Sequence, residues 1–564
     1  MTPAFTLGVD YGTNSVRSVV VDCRDGRIVG TRVFQYPSGD QGVLLDSREP
    51  HLARQRPADY LEGLRASVTG ALQDATRDDD FTCERVIGIG VDTTGSTPIP
   101  VDGHSRALGL DPKWAGNLAA QAWLWKDHTG AEEAAAITAI AARHALEYLV
   151  PIGGTYSSEW FWSKIWRCLK VAPEVFDAAF SWVELADYIP AALAGITHPR
   201  DIQRCICAAG HKALYSDSWG GLPSKAFLAR LDPKLAELRD RLFDKAYAAD
   251  RPAGRLCAEW ASSLGLREGI VIAMGGFDAH YGAVGAGVRT GTLVKIIGTS
   301  TCDCAIVPAS DEIQNVPGIC GIVNGSIMPG YFGIEAGQSA VGDLLKWWVE
   351  RICEGAEALH AELTNSAARL RPGESGLVAL DWNNGNRTIL VDPRLSGLIV
   401  GQTLHTSRAE VYRALIEATA FGARTIVERL MAYGVPVDRI VCCGGIAEKN
   451  DVFMQIYADV LGHPMLIAGS PQTPALGAAI SASVAAGAGA GAGGHASFAE
   501  AQAAMTRVGE RQFLTNPDAK RVYDELYEIY RELHDAFGGV PGAHADLATT
   551  MKRLLSTRER ATSH

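Results

Sequence analysis

The pattern of apolar and polar positions predicts two β-hairpins of the same design. In the first, Leu7–Val9 is an apolar strand, a polar turn follows, and Val16–Asp22 is the returning strand. In the second, Thr292–Ile297 and Cys302–Val307 are strands on either side of a short polar turn. Short apolar runs bounded by turn residues are typical of buried strands. The repetition suggests a duplicated architecture with one hairpin in each half of the chain.

The turns of both hairpins carry small and hydroxyl residues that suit a phosphate. The first turn includes Asp10, Gly12 and Thr13, and the second begins with Gly298 and Thr299. Because Gly12 has no Cβ, a phosphate can approach the backbone N–H groups of its turn. Asp10, at the strand end, is placed to hold Mg²⁺ directly or through water. One such hairpin is equally well an ordinary polar turn, but two favour a pair of loops that hold one nucleotide.

Further apolar periodicity predicts an α/β fold. Arg85–Asp92 and Arg439–Cys443 are apolar runs typical of buried strands. Ala131–Leu149 is rich in alanine, and Arg408–Tyr433 and Ala519–Phe537 repeat apolar residues at helical spacing. Strands and helices therefore occur in both halves.

The length of 564 residues is too great for one core, so we predict at least two domains. A polar segment around 250–254 predicts a hinge, which divides the chain into domains 1–255 and 256–540. The low-complexity Gly/Ala segment 485–494 is predicted as a flexible surface loop. Residues 541–564 are predicted as a flexible tail.

Composition excludes several classes of protein. The net charge of −12 argues against a nucleic-acid or anionic-membrane partner. The 12 cysteines are scattered without a CxxC pair, and the N-terminus lacks a signal-peptide pattern, so we expect reduced thiols and a cytoplasmic location. There is no GxxxxGK[ST] phosphate loop, no HExxH motif and no Ser-His-Asp hydrolase signature in the sequence.

Asp278 is the candidate catalytic residue. It follows the glycine pair Gly275-Gly276 and Phe277, at the end of a predicted strand that opens the second half. In phosphoryl transfer to an alcohol, a carboxylate must orient the hydroxyl and accept its proton. The competing interpretation is a helix N-cap, which the two phosphate-binding turns make less favourable.

A second glycine pair suggests where a nucleoside would lie. Gly444 and Gly445 follow a buried strand, and Asn450 comes shortly after them. The glycines would let an adenine or ribose lie flat on the turn, while Asn450 could bond the base or cap the next helix. A glycine pair is otherwise only a turn, so its position after the second hairpin carries the interpretation.

The remaining candidates are polar groups suited to a sugar. Aromatic rings stack on the C–H faces of sugars, and polar side chains bond the hydroxyls. For each candidate the competing interpretation is a core aromatic or a turn with an exposed charge. The candidates are Asp92, Ser96, Trp125, Asp127, Lys212 and Glu335.

Taken together, these segments resemble the FGGY family of carbohydrate kinases over about residues 5–535. Within it, YSSEWFW, AGHK and GTSTCD are specific to the branch of the family that acts on L-ribulose. The resemblance rests on segments from both halves of the chain. They are LGVDYGTNSVR from Leu7, GVDTTGSTPIP from Gly90, YSSEWFW from Tyr156, AAGHKALY from Ala208, GGFDAHYGAVGAG from Gly275, KIIGTSTCD from Lys295 and GIEAGQSA from Gly333.

The resemblance implies two ribonuclease-H-like domains of the actin/hexokinase type with an active-site cleft between them. It implies ATP and Mg²⁺, with Asp10 serving the metal. Asp278 would be the catalytic base and would also contact the sugar, together with Ser96, Lys212 and Glu335. The ATP phosphates would lie at Gly12, Thr13, Gly298 and Thr299, and the adenosine at Gly444, Gly445 and Asn450.

The implied activity is ATP-dependent phosphorylation of L-ribulose to L-ribulose 5-phosphate in L-arabinose catabolism. D-Ribulose, D-xylulose or ribitol stay open as alternative substrates, because one stereocentre need not change any motif. An actin- or Hsp70-like ATPase is a further alternative, against which the sugar-side residues argue. The sequence leaves a homodimer open.

Overall fold

The computed structural model describes residues 3–487, 493–543 and 547–562. Of the Gly/Ala segment predicted as a loop, Ala485 and Ala486 end a helix, and residues 488–492 lie outside the described residues. Among the described residues, no helix combines the length and the apolar character needed to cross a membrane.

The strands are short and occur in both halves. In chain order they are β1 Phe5–Tyr11, β2 Ser15–Asp22, β3 Ile28–Gln35, β4 Leu44–Asp46, β5 Glu49–Gln55, β6 Val86–Thr93, β7 Pro98–Val101, β8 Ala122–Trp123, β9 Ser181–Glu184, β10 Pro252–Arg255, β11 Val271–Ala273, β12 Gly276–Phe277, β13 Gly291–Ile297, β14 Thr301–Pro308, β15 Gly321–Asn324, β16 Tyr331–Ala336, β17 Val378–Leu380, β18 Leu398–Val400, β19 Val437–Cys443, β20 Met465–Ala468 and β21 Val508–Phe513.

The helices lie between and around these strands. They are α1 Pro57–Ala75, α2 Ala131–His144, α3 Phe161–Val171, α4 Pro173–Ala178, α5 Leu185–Leu193, α6 Ile206–Lys212, α7 Lys225–Leu231, α8 Pro233–Leu238, α9 Ala258–Leu264, α10 Asp278–Gly285, α11 Gly342–Trp347, α12 Ala358–Arg369, α13 Arg408–Ala432, α14 Gly445–Lys449, α15 Asp451–Leu461, α16 Thr473–Ala486, α17 Phe498–Met505, α18 Pro517–Phe537 and α19 Leu547–Thr562.

The first sheet contains the first predicted hairpin. Its strand order is β10-β11-β6-β1-β2-β3, and β12 also pairs with β6. Strands β1 and β2 are antiparallel, whereas β1, β6, β11 and β12 run parallel. In this register Asp10 lies opposite Asp92, and Asp92 lies opposite Gly276. The carboxyl ends of β1, β6 and β12 therefore meet at one edge.

The second sheet repeats this plan. Its order is β15-β16-β14-β13-β19-β20-β21, in which β13 and β14 form the second predicted hairpin. Strand β19 runs parallel to β13, just as β6 runs parallel to β1. The predicted duplication of the hairpin is confirmed, and the structure adds a parallel third strand in each half.

Two predicted boundaries differ from the structure. We predicted a division at residues 255/256, but β10, β11 and β12 still belong to the first sheet, which ends at Phe277. Residues after 540 were expected to be a flexible tail, but Leu547–Thr562 forms helix α19 with a buried Leu554. Arg558 of this helix pairs with Glu410 at 3.2 Å, so ion pairs and one apolar contact hold the helix on the second half.

Helices α10 and α16 connect the two sheets. Helix α16, from the second half, packs on β1 and β6 of the first sheet, and α10 shares an apolar cluster with β13 and β14. The contact is very close: a Cβ at Gly8 would lie 1.9 Å from the Ala475 carbonyl oxygen, and a Cβ at Gly477 would lie 1.8 Å from that of Tyr281. Only glycine fits at these positions.

Replacing Gly477 with alanine tests this contact. Helix propensity alone favours Gly477→Ala by about 1 kcal/mol, but the new methyl would force α10 and α16 apart. We expect a net loss of about 1–3 kcal/mol of stability, measured as a lower midpoint of urea unfolding.

The matched control is Gly282→Ala, also in a helix of this pair. Its Cβ would meet neighbours at 3.6 Å, an ordinary contact, so the midpoint should stay unchanged or rise. A Gly477→Ala protein as stable as this control would contradict the proposed packing constraint.

Candidate active site

Three carboxylates converge where the parallel strands of the first sheet end. Asp10 and Asp92 are neighbours in the register of β1 and β6, and Asp278 follows β12 directly as the first residue of α10. The Asp278 Oδ1 atom accepts a 2.7 Å hydrogen bond from the Ala279 N–H. Phe277, not Asp278, occupies the N-cap position of the helix.

The electrostatics of this cluster require a counter-charge. Asp92 is fully buried, and within the described residues neither of its carboxylate oxygens has a hydrogen-bond partner. Burial, together with the charges of Asp10 and Asp278, raises the pKa of Asp92 well above its usual range. Burial also raises the pKa of Asp10, although Arg17, 3.6 Å away, opposes this. Carboxylate oxygens are ligands that Mg²⁺ prefers, and those of Asp92 are not occupied by hydrogen bonds from described residues. Asp10 and Asp92 therefore fit a divalent cation.

Asp278 has the protonation behaviour of a base that works near neutral pH. Burial, then the charge of Asp10, raises its pKa to about 7. A general base is most effective when its pKa lies near the operating pH. The position and the pKa both suit proton abstraction.

The two polar turns are compact and open on their outer side. The Gly12 N–H donates to the Ser15 carbonyl at 2.9 Å, and the Gly298 N–H donates to the Ser300 carbonyl at 2.9 Å. A Cβ at Gly12 would come no closer than 3.4 Å to described atoms, and one at Gly298 no closer than 3.8 Å. A ligand could therefore approach both glycines.

The glycine pair after β19 lies beside the second turn. Gly444 has a φ of 99°, and a Cβ there would lie 2.4 Å from the Ile297 carbonyl oxygen at the end of β13. No described atom lies within 4 Å of the Cβ position at Gly445. The Asn450 Oδ1 atom accepts a 3.0 Å hydrogen bond from the Phe453 N–H, so this side chain caps α15.

Lys212 and Glu335 form a buried ion pair between the two halves. The Lys212 Nζ atom lies 2.9 and 3.2 Å from the two carboxylate oxygens of Glu335. Burial would raise the pKa of Glu335, but the Lys212 charge and contacts with two histidines hold it well below its usual range. Glu335 is therefore an ionised acceptor, of which 13% of the side chain stays exposed.

The structure gives Ser96 and Asp127 internal partners. Ser96 is fully buried, and its hydroxyl donates to Glu184, while Lys164 Nζ bonds its carbonyl at 2.8 Å. Asp127 is buried against Arg54 and accepts a 2.8 Å hydrogen bond from the Ala53 N–H. Their side chains hold the loops rather than line an open surface.

Trp125 connects its own segment, which follows β8, to the first polar turn. Its Nε1–H donates to the Thr13 Oγ1 atom at 3.0 Å. The contact joins two candidates that lie far apart in the sequence.

Sequence reasoning missed the histidines of this site. His280 Nε2 lies 3.2 Å and His211 Nδ1 lies 3.5 Å from Glu335 Oε2. The only signal was position, since His280 follows Asp278 by two residues and His211 precedes Lys212.

Comparisons with known proteins agree with this architecture. A model of the N-terminal domain of the FGGY family of carbohydrate kinases matches residues 5–285, and one of the C-terminal domain matches residues 293–486. The resemblance seen in the sequence is therefore confirmed.

Relatives match along the whole chain. A ribulokinase of Shouchella clausii is 42% identical over 575 residues, which cover 99% of this chain and 99% of the relative. A ribulokinase of Geobacillus thermodenitrificans is also 42% identical, over 100% of this chain and 98% of the relative. One of Mycolicibacterium smegmatis is 40% identical, over 95% and 94% respectively.

Solved structures share the fold. A xylulose kinase of Rhodospirillum rubrum has a TM-score of 0.75 at 24% identity and covers 94% of this chain and 99% of its own. Plasmodium falciparum glycerol kinase with ADP has a TM-score of 0.73 at 17% identity, over 94% and 98%. The predicted two-domain α/β kinase fold is confirmed.

The buried carboxylates predict how stability depends on pH and on a divalent cation. A carboxyl group whose pKa is higher in the folded state than in the unfolded state contributes to stability at low pH, where it is protonated in both states. This contribution is lost as the pH rises through the folded-state pKa. In EDTA, Asp92→Asn should therefore melt higher than wild type at pH 8, with a smaller difference at pH 5. Thermal melts at several pH values measure this.

The same variant tests the cation site. Mg²⁺ should raise the melting temperature of wild type by more than that of Asp92→Asn, because one oxygen ligand has lost its charge. If Mg²⁺ raised the melting temperatures of wild type and Asp92→Asn equally, and if both melting temperatures changed with pH in the same way, Asp92 would neither repel its neighbours nor serve a cation.

Proposed function

We propose that this chain, which belongs to the FGGY family of carbohydrate kinases, transfers the γ-phosphoryl group of ATP to L-ribulose and gives L-ribulose 5-phosphate. The chain is a sugar kinase, and its relatives over the full length are ribulokinases. The observation that carries the proposal is that the buried Asp278 interacts electrostatically with both Asp10 and Glu335, one from each of the two polar groups. The reaction would serve L-arabinose catabolism.

Asp278 would orient the attacking hydroxyl and take its proton as the new O–P bond forms. With a pKa of about 7, about half of the carboxylate is ionised at neutral pH, and this form is basic enough to accept the proton. Asp10 and Asp92 would hold Mg²⁺ directly or through water, and the ion would neutralise charge on the β- and γ-phosphates.

The two polar turns would hold the phosphates from opposite sides. Gly12 and Thr13 lie in the first turn, and Gly298 and Thr299 lie in the second. Gly444 and Gly445 would lie under the adenosine, whereas the Asn450 side chain would act through the helix that it caps. Closure of the halves would exclude water, which otherwise competes with the sugar as acceptor.

Lys212 and Glu335 would bind hydroxyls of the open-chain sugar. Lys212 can donate, and the ionised Glu335 can accept, so the pair can bond one or two neighbouring hydroxyls. Ser96 would contribute through its loop, because its hydroxyl is already bonded to Glu184. A cytoplasmic location and a homodimer stay predictions.

A substrate panel tests the choice of sugar. ADP release with MgATP should be fastest with L-ribulose, compared with D-ribulose, L-xylulose, D-xylulose, ribitol, glycerol and no sugar. A clear preference for another pentulose or pentitol would keep the kinase chemistry and reassign the substrate. Equal ADP release with and without sugar would reject sugar phosphorylation by the purified chain.

Asp278→Asn tests the base. The amide keeps the shape but cannot accept the proton, so kcat should fall about 10²–10⁴-fold while ATP binding stays near normal.

Since protonation of Asp278 blocks catalysis, wild-type kcat/KM for the sugar should rise with pH through about 7. The residual activity of Asp278→Asn should lack this rise, and retention of most of the kcat would remove Asp278 from this role.

A further inference from the structure

Glu335 is contacted by three nitrogen-bearing side chains at once. Lys212 Nζ approaches its Oε1 atom at 2.9 Å, and His280 Nε2 approaches its Oε2 atom at 3.2 Å. His211 Nδ1 lies 3.5 Å from the same Oε2 atom. Both imidazole rings are fully buried, so protein groups such as Glu335 surround them rather than solvent.

His280 is held from behind by Cys207. The Cys207 Sγ atom lies 2.9 Å from His280 Nδ1 and accepts a 3.3 Å hydrogen bond from the Phe277 N–H. The sulfur is thus tied to the backbone next to Asp278, and it fixes the imidazole so that Nε2 points at Glu335. Cys207 is 3% exposed, so it serves here as a hydrogen-bond partner and not as a nucleophile.

The contact between His280 and Glu335 is an ion pair rather than an aligned hydrogen bond. At 3.2 Å the distance is short, but within the described residues His280 Nε2 and His211 Nδ1 have no partner in hydrogen-bond geometry. A buried donor without an aligned acceptor is costly. Hydrogen bonds of this kind often tighten only when substrate is bound.

Either a proton or a metal ion could occupy the space between these groups. His211, His280 and Glu335 bring three ligand atoms within 4.8 Å of one another, as a transition metal would need. The Lys212 ammonium already binds the same carboxylate, however, and would repel a divalent ion more strongly than the single charge of a protonated imidazole. Although burial disfavours the charged ring, Cys207 and Glu335 raise the pKa of His280 to about 10, which favours the proton.

We propose that His280 is a positioning residue, which directs Nε2–H at Glu335 Oε2 while Lys212 bridges both carboxylate oxygens, and so fixes the carboxylate that receives the sugar hydroxyls. This inference rests on the proposed function, since it takes Glu335 as a sugar contact. His280 itself need not touch the substrate. Its removal would leave Glu335 ionised and bonded to Lys212, but Oε2 would lose the shorter of its two imidazole contacts, and the carboxylate would be less firmly oriented.

The test compares His280→Ala with His280→Gln. The glutamine amide can place an N–H near the position of Nε2, whereas alanine removes the donor. We expect His280→Ala to raise the KM for the preferred sugar about 10-fold or more, with the KM for ATP within about twofold of wild type. His280→Gln should recover most of the loss.

A second pair of variants protects the test against misfolding. Cys207→Ala removes the support behind the ring, and Cys207→Ser keeps a hydrogen-bonding group there. The sugar KM should rise in Cys207→Ala and stay nearer wild type in Cys207→Ser, and a cooperative thermal melt of each variant shows that it is folded.

Three results would overturn the inference. They are an unchanged sugar KM in His280→Ala, an equal loss in the alanine and glutamine variants, and stoichiometric Zn²⁺ found by elemental analysis in wild type but absent from His280→Ala. Wild type that phosphorylates no sugar of the panel would instead reject the proposed function, so the two failures are distinguishable.

Discussion

The structure depends on the close packing of helices α10 and α16 between the two sheets. Backbone carbonyls of α16 press on β1 and β6 where Gly8 and Gly90 provide no side chain, and Gly477 lets α10 and α16 meet in the same way. Each sheet is thus covered by a helix that belongs to the other half of the chain. The strand ends that carry the site are therefore positioned by backbone contacts, which are stiffer than side-chain contacts.

This packing brings like charges together at a cost to stability. Asp10, Asp92 and Asp278 lie at adjoining strand ends because β1, β6 and β12 are parallel and in register. A protein that served only stability would not bury Asp92, whose oxygens have no hydrogen-bond partner among the described residues, beside two further carboxylates. Such a cluster is typical of a site where a bound ion and a transferred proton relieve the repulsion.

The sequence predicted what depends on local pattern. Both hairpins, the long helix α13 and Asp278 at a strand end could be found because apolar runs and turn residues are local signals. Strand β12 has two residues, too short for any periodicity, so the end of the first sheet could not be placed. The partner of Ser96 is Glu184, distant in the sequence, and no local pattern reveals that the hydroxyl is already bonded. His280 has the same problem, because its role depends on Cys207 and Glu335 from two other elements.

The hydrogen bond from Trp125 to Thr13 has a consequence for how the two substrates are sensed. It ties the segment around Trp125, proposed to face the sugar, to the turn proposed to hold phosphates, so a shift in the position of one changes the free energy of the other. Thermodynamic linkage makes such an effect reciprocal: whatever the sugar contributes to nucleotide affinity, the nucleotide contributes equally to sugar affinity. A single indole N–H would thus couple the affinities for the two substrates, whichever of them binds first.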